Sequence, residues 1–178
     1  YKTFEEILII KNIISDFDWL VSIDADLYVQ ENIDYNQFFD ESKKYFGVHH
    51  PCHFAGFPPH NQKPGSFDTN PLSNACINDS IMDMKIYYQG CLWGGQVPHV
   101  FDMMKQIDEW TKEDVSNETV GRFYEESYLN KWFLTHREDV NTLAPDYAYP
   151  EMFQQYCNFP NKMMHLSKDN QSLDNNQW

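Results

Sequence analysis

The chain has 178 residues, of which 42% are hydrophobic and 16% aromatic, so it is long enough to bury one core and we expect a single domain. Its formal net charge of -14 argues against a nucleic-acid-binding protein, because affinity for a phosphate backbone depends on lysine and arginine. No apolar run approaches the ~18 residues of a membrane span, and no charged and apolar leader opens the sequence. We therefore expect a soluble protein.

An amphipathic helix is predicted at the start of the chain, immediately before a strand. Its apolar residues recur at helical spacing and would pack on a sheet. They are Phe4, Ile7, Leu8, Ile10, Ile13, Ile14 and Phe17. A helix followed by a strand is half of a βαβ unit, and nothing before this helix supplies the neighbouring strands of a doubly wound sheet. We therefore expect that an amino-terminal part of the domain is missing.

The next segment, WLVSIDADLYVQ at 19–30, begins with an apolar run that predicts a buried strand, and two acids follow this run. Side chains alternate along an extended chain, so Asp24 and Asp26 would point the same way at the carboxyl end of the strand, where open α/β sheets bind ligands. Two neighbouring carboxylates repel each other unless a positive group joins them, most economically a divalent cation that also holds phosphates. The alternative is a surface turn with two solvated acids.

A histidine cluster, GVHHPCHF at 47–54, overlaps a short strand predicted at 45–49. His49, His50, Cys52 and His53 are residue types that bind zinc. However, adjacent His49 and His50 point to opposite faces of a strand, and Pro51 blocks a helix. We therefore favour one substrate-facing histidine at the strand end, and a zinc hydrolase that uses His49, His50 and His53 stays an alternative.

A long loop is predicted at 55–80, which is rich in proline, glycine, asparagine and serine. A half-buried strand at 82–88 follows, and it runs into YYQGCLWGG at 87–95. The glycines of this block, Gly90, Gly94 and Gly95, would allow the backbone to bend or to approach a ligand closely. The alternative is a bulge and the start of a helix.

Two further helices are predicted in the second half of the chain. An apolar stripe from Val97 to Ile107, with Pro98 in the first turn, indicates a scaffold helix. The segment YEESYLNKWFL at 124–134 predicts a second helix with Glu125 and Glu126 in its first turn, where acids also simply complement the helix dipole. A last strand is predicted at 140–144, and the end of the chain should be mobile.

The four cysteines are widely spaced and form no Cys-x-x-Cys pair. They are Cys52, Cys76, Cys91 and Cys157. This spacing favours reduced thiols, as in a cytoplasm, over a disulfide framework or a zinc ribbon.

Six blocks of the sequence occur in a familiar order: DAD, GVHHPCHF, YYQGCLWGG, EESYLNKWFL, TLAPDYAYP and SKDNQ. This order closely resembles the family of retaining α-1,3-galactosyl- and N-acetylgalactosaminyltransferases that includes the blood-group A and B enzymes. The resemblance runs from Asp18 to about Asn170 and lacks the family's first βαβ portion, which helps to hold the uridine. It implies an α/β fold of the GT-A type, Rossmann-like, with a mixed sheet flanked by helices over 1–170 and a mobile tail at 171–178.

The resemblance also implies roles for individual residues. Asp24 and Asp26 match the family's Asp-x-Asp motif, which holds manganese, or magnesium, together with the diphosphate of the donor. Glu126 matches the catalytic carboxylate. Glu125 stands where the family usually has aspartate, so the acid that contacts the donor sugar is longer by one methylene group.

Other matched residues would bind the two substrates. His50 matches a histidine of the acceptor site, and Lys168 matches a basic residue that reaches the diphosphate. Gln89, Gly90 and Cys91 match the positions that discriminate donor sugars. Because family members carry glycine or alanine where this chain has Cys91, its sulfur should narrow the pocket and favour UDP-galactose over UDP-N-acetylgalactosamine.

The implied function is transfer of galactose or N-acetylgalactosamine from a UDP-sugar to a galactose-containing glycan in α-1,3 linkage. The expected location is cytoplasmic if the source is microbial or viral, and a Golgi-lumenal catalytic fragment is the alternative. A non-catalytic carbohydrate-binding protein is an alternative from another functional class, because it would keep the aromatic residues and lose turnover.

Overall fold

The computed structural model describes residues 14–53, 67–78, 86–156 and 160–167. Most of the helix predicted at 4–17 lies outside these residues. The same holds for Lys168, Cys157, the tail at 171–178, and parts of the loop predicted at 55–80 and of the strand predicted at 82–88.

The described residues form seven strands and two α-helices. The strands are β1 (Trp19–Ile23), β2 (Leu27–Val29), β3 (Tyr45–His49), β4 (Tyr88–Gln96), β5 (Val140–Leu143), β6 (Tyr149–Pro150) and β7 (Met163–His165). The helices are α1 (Val97–Ser116) and α2 (Glu125–Thr135). The strands predicted at 45–49 and 140–144 and both helices are therefore confirmed, with α1 extending beyond its predicted apolar stripe. None of these helices combines the length and apolar character that a membrane crossing needs.

The main sheet is mixed and has the strand order β1, β4, β3, β5. Strand β4 pairs antiparallel with both β1 and β3, whereas β3 and β5 are parallel. Helices α1 and α2 contact each other and β4. The predicted α/β class with a mixed sheet flanked by helices is thus confirmed.

Both faces of the main sheet are covered, because neighbouring residues of its central strands point to opposite sides. On the helical side, Tyr45 and Trp93 join the core formed with α1 and α2. On the other side, Phe46 and Leu92 pack with Phe38 and other residues. Full burial of each such side chain stabilises the fold by roughly 1.5–3 kcal/mol relative to exposure.

A small second sheet has the strand order β2, β7, β6. Its strands β2 and β7 are antiparallel, and this register pairs Leu27 with His165. Because β2 follows β1 after a short turn, the second sheet brings residues near the carboxyl end of the chain next to Asp24 and Asp26.

The expectation that 19–23 forms a buried strand is wrong in one respect. The strand forms, but β1 lies at the edge of the main sheet and pairs only with β4 among the described residues. Val21 is 43% exposed and Ile23 is 50% exposed. An apolar run indicates a strand but not its place in the sheet, which depends on pairing with distant residues.

The glycine-rich block at 87–95 forms most of the central strand β4, and helix α1 begins directly after this strand at Val97. A Cβ atom on Gly94 would lie 2.2 Å from the carbonyl oxygen of Leu20, and one on Gly95 would lie 2.2 Å from that of Lys44. These glycines therefore allow neighbouring backbones to approach closely. The register shifts within this block, because Gly47 of β3 pairs with Trp93 whereas the next residue, Val48, pairs with Gln89. Residues 90–92 of β4 are therefore extra, and the alternative expectation of a bulge in the block is confirmed.

Candidate active site

A cavity of about 420 Å³ opens at the end of the main sheet where β1 and β3 end and α2 begins. Its volume is typical of small-molecule sites. The cavity is lined by seven of the predicted site residues: Asp24, His50, Gln89, Gly90, Cys91, Glu125 and Glu126. The fold thus brings together residues that are far apart in the sequence. A larger cleft of about 590 Å³, lined by Gln37, Asn141 and Lys162 among others, contains none of them.

Asp24 and Asp26 lie in the turn between β1 and β2. The Asp24 N–H donates to the Cys91 carbonyl (2.9 Å), and the Leu27 N–H donates to the Asp24 carbonyl (3.1 Å). The expectation that the two acids share one side of an extended strand is therefore wrong, because this turn ends the strand at Ile23. The turn nevertheless brings both carboxylates close to one point.

A third potential metal ligand, His165, comes from β7. One ligand atom from each of Asp24, Asp26 and His165 lies within 4.8 Å of the others. The Nε2 atom of His165 is 3.3 Å from Oδ2 of Asp26, and the Leu166 N–H donates to the Asp26 carbonyl at 2.9 Å. Ligands on opposite sides of one divalent ion lie about 4–5 Å apart, so two carboxylates and an imidazole with this spacing fit such an ion.

Glu126 is held by two hydrogen bonds, one from the residue just before β4 and one from within this strand. The Tyr87 hydroxyl donates to Oε1 at 2.5 Å, and the Gly90 N–H donates to Oε2 at 2.7 Å. A Cβ on Gly90 would lie 3.2 Å from Oε2, so glycine permits this close approach. Burial raises the pKa of Glu126 above its usual value, whereas these two hydrogen bonds act in the opposite direction.

The first turn of α2 places both acids at the cavity. Tyr124, the residue before the helix, has a φ of 49° and makes no side-chain hydrogen bond to cap the helix. Asn130 then clamps the helix to β4, because it accepts from the Tyr88 N–H (2.7 Å) and donates to the Tyr88 carbonyl (2.8 Å). Since the carboxylate of Glu126 bonds to β4, complementing the dipole of α2 does not account for its position.

His50 follows β3 directly, and its N–H donates to the Tyr87 carbonyl at 2.7 Å. Its Nδ1 accepts from the Cys52 N–H at 3.1 Å, which leaves the hydrogen of the neutral ring on Nε2. Burial, reinforced by the neighbouring histidines His53 and His49, lowers the pKa of His50 to about 4. The ring is therefore neutral near pH 7.

The zinc alternative is not supported by the geometry. Within the described ranges, Asp24, Asp26 and His165 are the one group of three or more potential ligands close enough to share an ion. His49, His50 and His53 do not form such a group.

Gln89 and Cys91 are neighbours on one face of β4. Gln89 is 4% exposed, and its Nε2 has no hydrogen-bond partner among the residues that the structure describes. Its Oε1 accepts a weak hydrogen bond from Cys91 Sγ at 3.9 Å. Burial, followed by the charges of Asp24 and Glu126, raises the pKa of the Cys91 thiol to about 12, so the thiol stays protonated. Cys52, Cys76 and Cys91 form no disulfide bond with one another.

Two residues of the site were not predicted. His165 has no recognisable motif around it, and its proximity to Asp26 depends on the pairing of β7 with β2. Tyr87 belongs to the quoted block YYQGC, but the strand pattern does not reveal that its hydroxyl reaches Glu126 on α2. Lys168, which was predicted to bind the diphosphate, lies outside the described residues.

Comparison with known proteins identifies the family. The sequence profile of glycosyltransferase family 6 matches residues 2–175, and the chain therefore belongs to this family. The chain is 25% identical to the histo-blood group ABO system transferase 2 of Rattus norvegicus over 162 residues, which are 90% of this chain and 45% of that protein.

Globoside transferases show a shorter match. The chain is 30% identical to globoside alpha-1,3-N-acetylgalactosaminyltransferase 1 of Mus musculus over 102 residues, which are 57% of this chain and 27% of that protein. The Gallus gallus protein of the same name is 32% identical over 102 residues, 57% of this chain and 28% of that protein. The chain thus spans less than half the length of these relatives.

Proposed function

We propose that this chain is the catalytic part of a retaining glycosyltransferase that moves galactose or N-acetylgalactosamine from a UDP-sugar to a galactoside in α-1,3 linkage. The observation that carries the proposal is the presence, around one cavity, of a site for a divalent ion and a buried carboxylate. Asp24, His165 and Glu126 all line this cavity. Membership of glycosyltransferase family 6 supports the same reaction class.

The departing UDP would be bound at the acidic end of the cavity. A divalent ion, Mn²⁺ or Mg²⁺, held by Asp24, Asp26 and His165, would neutralise the charge that develops on the leaving diphosphate. The turn between β1 and β2 and the pairing of β2 with β7 hold the two carboxylates and the imidazole in place. Lys168 remains predicted as a further cationic group for the diphosphate.

Glu126 would stabilise the positive charge that builds on the anomeric carbon. Because each of its oxygens accepts one hydrogen bond, from Tyr87 or from Gly90, the carboxylate keeps a defined direction and has a remaining lone pair on each oxygen. Glu126 would therefore act as a nucleophile or as an electrostatic partner in a front-face reaction. Glu125, which also lines the cavity, would bind hydroxyl groups of the donor sugar.

His50 would orient the acceptor hydroxyl. Its Nδ1 is occupied by the Cys52 N–H, so Nε2 is the hydrogen-bond donor available to a substrate. Gln89 and Cys91 would select the donor sugar. The sulfur of Cys91 reduces the space for an acetamido group and favours galactose, whereas the amide of Gln89 offers a hydrogen bond to that group and opposes this preference.

The test measures transfer by the purified natural protein. UDP-galactose or UDP-N-acetylgalactosamine would be supplied with Mn²⁺ and a β-galactoside, and the linkage of the product would be determined by NMR. We expect an α-1,3-linked product, faster turnover with UDP-galactose, and loss of activity with EDTA. Binding of the galactoside without release of UDP from either donor would favour a carbohydrate-binding protein instead.

A further inference from the structure

We infer that Tyr87 is a positioning residue of the proposed reaction, which fixes the direction of the Glu126 carboxylate at the cavity. The inference rests on the proposed function. Tyr87 does not line the cavity, but its hydroxyl lies 2.5 Å from Oε1 of Glu126. With the Gly90 N–H at 2.7 Å from Oε2, it fixes the plane of the carboxylate from two sides.

The ring of Tyr87 is itself held firmly. Tyr87 is only 1% exposed to solvent. The ring stacks on His53 with the ring centroids 5.0 Å apart and the planes at 24°, and Phe67 and His50 contact it at 5.2 and 5.9 Å. Since these contacts leave the ring little freedom, the hydroxyl is presented to Glu126 at a defined place.

The backbone of Tyr87 adds a second function for the same residue. Its carbonyl accepts from the His50 N–H at 2.7 Å. One residue therefore sets the positions of the proposed acceptor-binding histidine and of the proposed catalytic carboxylate. Changing its side chain alone should affect the carboxylate and leave the backbone bond to His50 in place.

The proton of this hydrogen bond belongs to the tyrosine. Burial and the negative charge of Glu126 raise the pKa of Tyr87 well above its usual value, so the hydroxyl remains a donor. Its hydrogen bond lowers the pKa of Glu126 and so opposes the effect of burial. Without the hydroxyl, the carboxylate would be protonated at higher pH and would lose one of its two fixed contacts.

Other titratable groups also act on this pair, and they must be considered in a pH experiment. The charges of Glu125 and Asp24 raise the pKa of Glu126. The charge of Glu126 in turn contributes to the raised pKa of Cys91, whose thiol stays protonated. Arg122 lowers the pKa of Tyr87. His50 and His53, which contact the ring, have pKa values lowered by burial.

The next residue, Tyr88, provides a matched control. It is also a buried tyrosine of the same block, but its hydroxyl bonds to Oγ1 of Thr142 at 2.8 Å. It makes no contact with Glu126 through that hydroxyl. Replacing either tyrosine by phenylalanine removes one hydroxyl and one hydrogen bond while the ring is kept.

The experiment compares Tyr87→Phe, Tyr88→Phe and the unchanged protein in kcat, KM and their pH dependence. We expect Tyr87→Phe to lower kcat about 10- to 100-fold, the value of a hydrogen bond to a charged group. KM for the donor should change little, and the acidic limb of the kcat profile should move to higher pH. Tyr88→Phe should leave kcat and the profile unchanged, and thermal unfolding followed by circular dichroism would verify that both variants fold.

A second measurement does not depend on turnover. The protonated carboxylic acid of Glu126 would be followed by its infrared band during a pH titration and assigned by its absence in Glu126→Gln. Tyr87→Phe should shift this titration to higher pH. If the unchanged protein transfers no sugar, the proposed function fails while this titration still tests Tyr87. An unshifted band, an unchanged kcat, or equal losses in both tyrosine variants would overturn the inference.

Discussion

The two sides of the candidate site are built by different means. Glu126 lies where one helix meets one strand, and its oxygens accept hydrogen bonds from Tyr87, just before β4, and from Gly90 in β4. The proposed ion-binding side, formed by Asp24, Asp26 and His165, joins two sheets, and the side chains of His165 and Asp26 are 28% and 22% exposed. The carboxylate side is thus ordered by the protein's own hydrogen bonds, whereas the ion-binding side has three converging ligands that a cation would hold together.

This difference suggests how each side supports the reaction. A preorganised carboxylate stabilises charge without reorganisation at the moment of reaction. The partly exposed ligands on the other side would leave the proposed cation accessible to solvent and to a diphosphate. Substitutions on the two sides should therefore have separable effects, on turnover in one case and on cation binding in the other.

The largest effect is expected for Glu126→Gln. If Glu126 stabilises charge on the anomeric carbon, turnover should fall by about 10²–10³, with donor binding little changed. Glu125→Gln is the matched control, and we expect it mainly to raise the KM for the donor. Steady-state kinetics would measure both, and normal turnover of Glu126→Gln with loss of turnover in Glu125→Gln would reverse the two assigned roles.

The same variant should also change how the stability of the protein depends on pH. Because the pKa of Glu126 is raised on folding, its stabilising contribution is present at acidic pH and is lost as the pH rises through the raised value. Glutamine cannot ionise, so Glu126→Gln does not lose this contribution. The free energy of unfolding of the variant, relative to that of the unchanged protein, should therefore rise with pH. Urea unfolding at several pH values would measure it, and a constant difference would contradict the argument.

On the ion-binding side, the affinity for Mn²⁺ should fall about 10- to 100-fold in Asp26→Asn and about 10-fold in His165→Ala. Titration followed by the electron paramagnetic resonance of free Mn²⁺ would measure binding without turnover. His99→Ala, on α1, serves as the control and should bind Mn²⁺ normally. Unchanged affinity in His165→Ala would leave the two aspartates as the protein ligands.

A smaller effect concerns the pH dependence of stability at His50. Its pKa falls from 6.5 to about 4 on folding, so the unfolded chain binds the extra proton between these values. Stability should therefore be lost as the pH falls from 6.5 toward 4. His50→Asn, whose side-chain oxygen can replace Nδ1 as acceptor for the Cys52 N–H, should reduce this loss in urea unfolding. An identical pH dependence in the variant would exclude His50 as its source.

The smallest effect is expected at Tyr124, just before the two acids. Its φ of 49° lies in a region that glycine adopts without strain, and its side chain is 59% exposed. Tyr124→Gly should relieve strain and stabilise the fold by about 1 kcal/mol, provided that strain outweighs the entropy of the added glycine. Thermal unfolding would measure the change. A lower melting temperature would mean that contacts of the side chain outweigh the strain.

Much of the fold follows from patterns within short segments. The apolar stripes of α1 and α2 and the strands at 45–49 and 140–144 are visible because a helix or strand repeats its own period along the chain. The grouping of Asp24, His50 and Glu126 around one cavity was likewise anticipated, through the resemblance of their motifs to a known family.

Tertiary structure decided the features that depend on distant partners. Pairing between segments far apart in sequence places β1 at the edge of the sheet and brings His165 next to Asp26. It also brings the backbones of neighbouring strands close to Gly94 and Gly95 of β4. The same is true of the hydrogen bond from Tyr87 to Glu126. Local periodicity specifies which face a residue occupies, but which groups meet across that face is determined by strand register and helix packing, neither of which is encoded within a single segment.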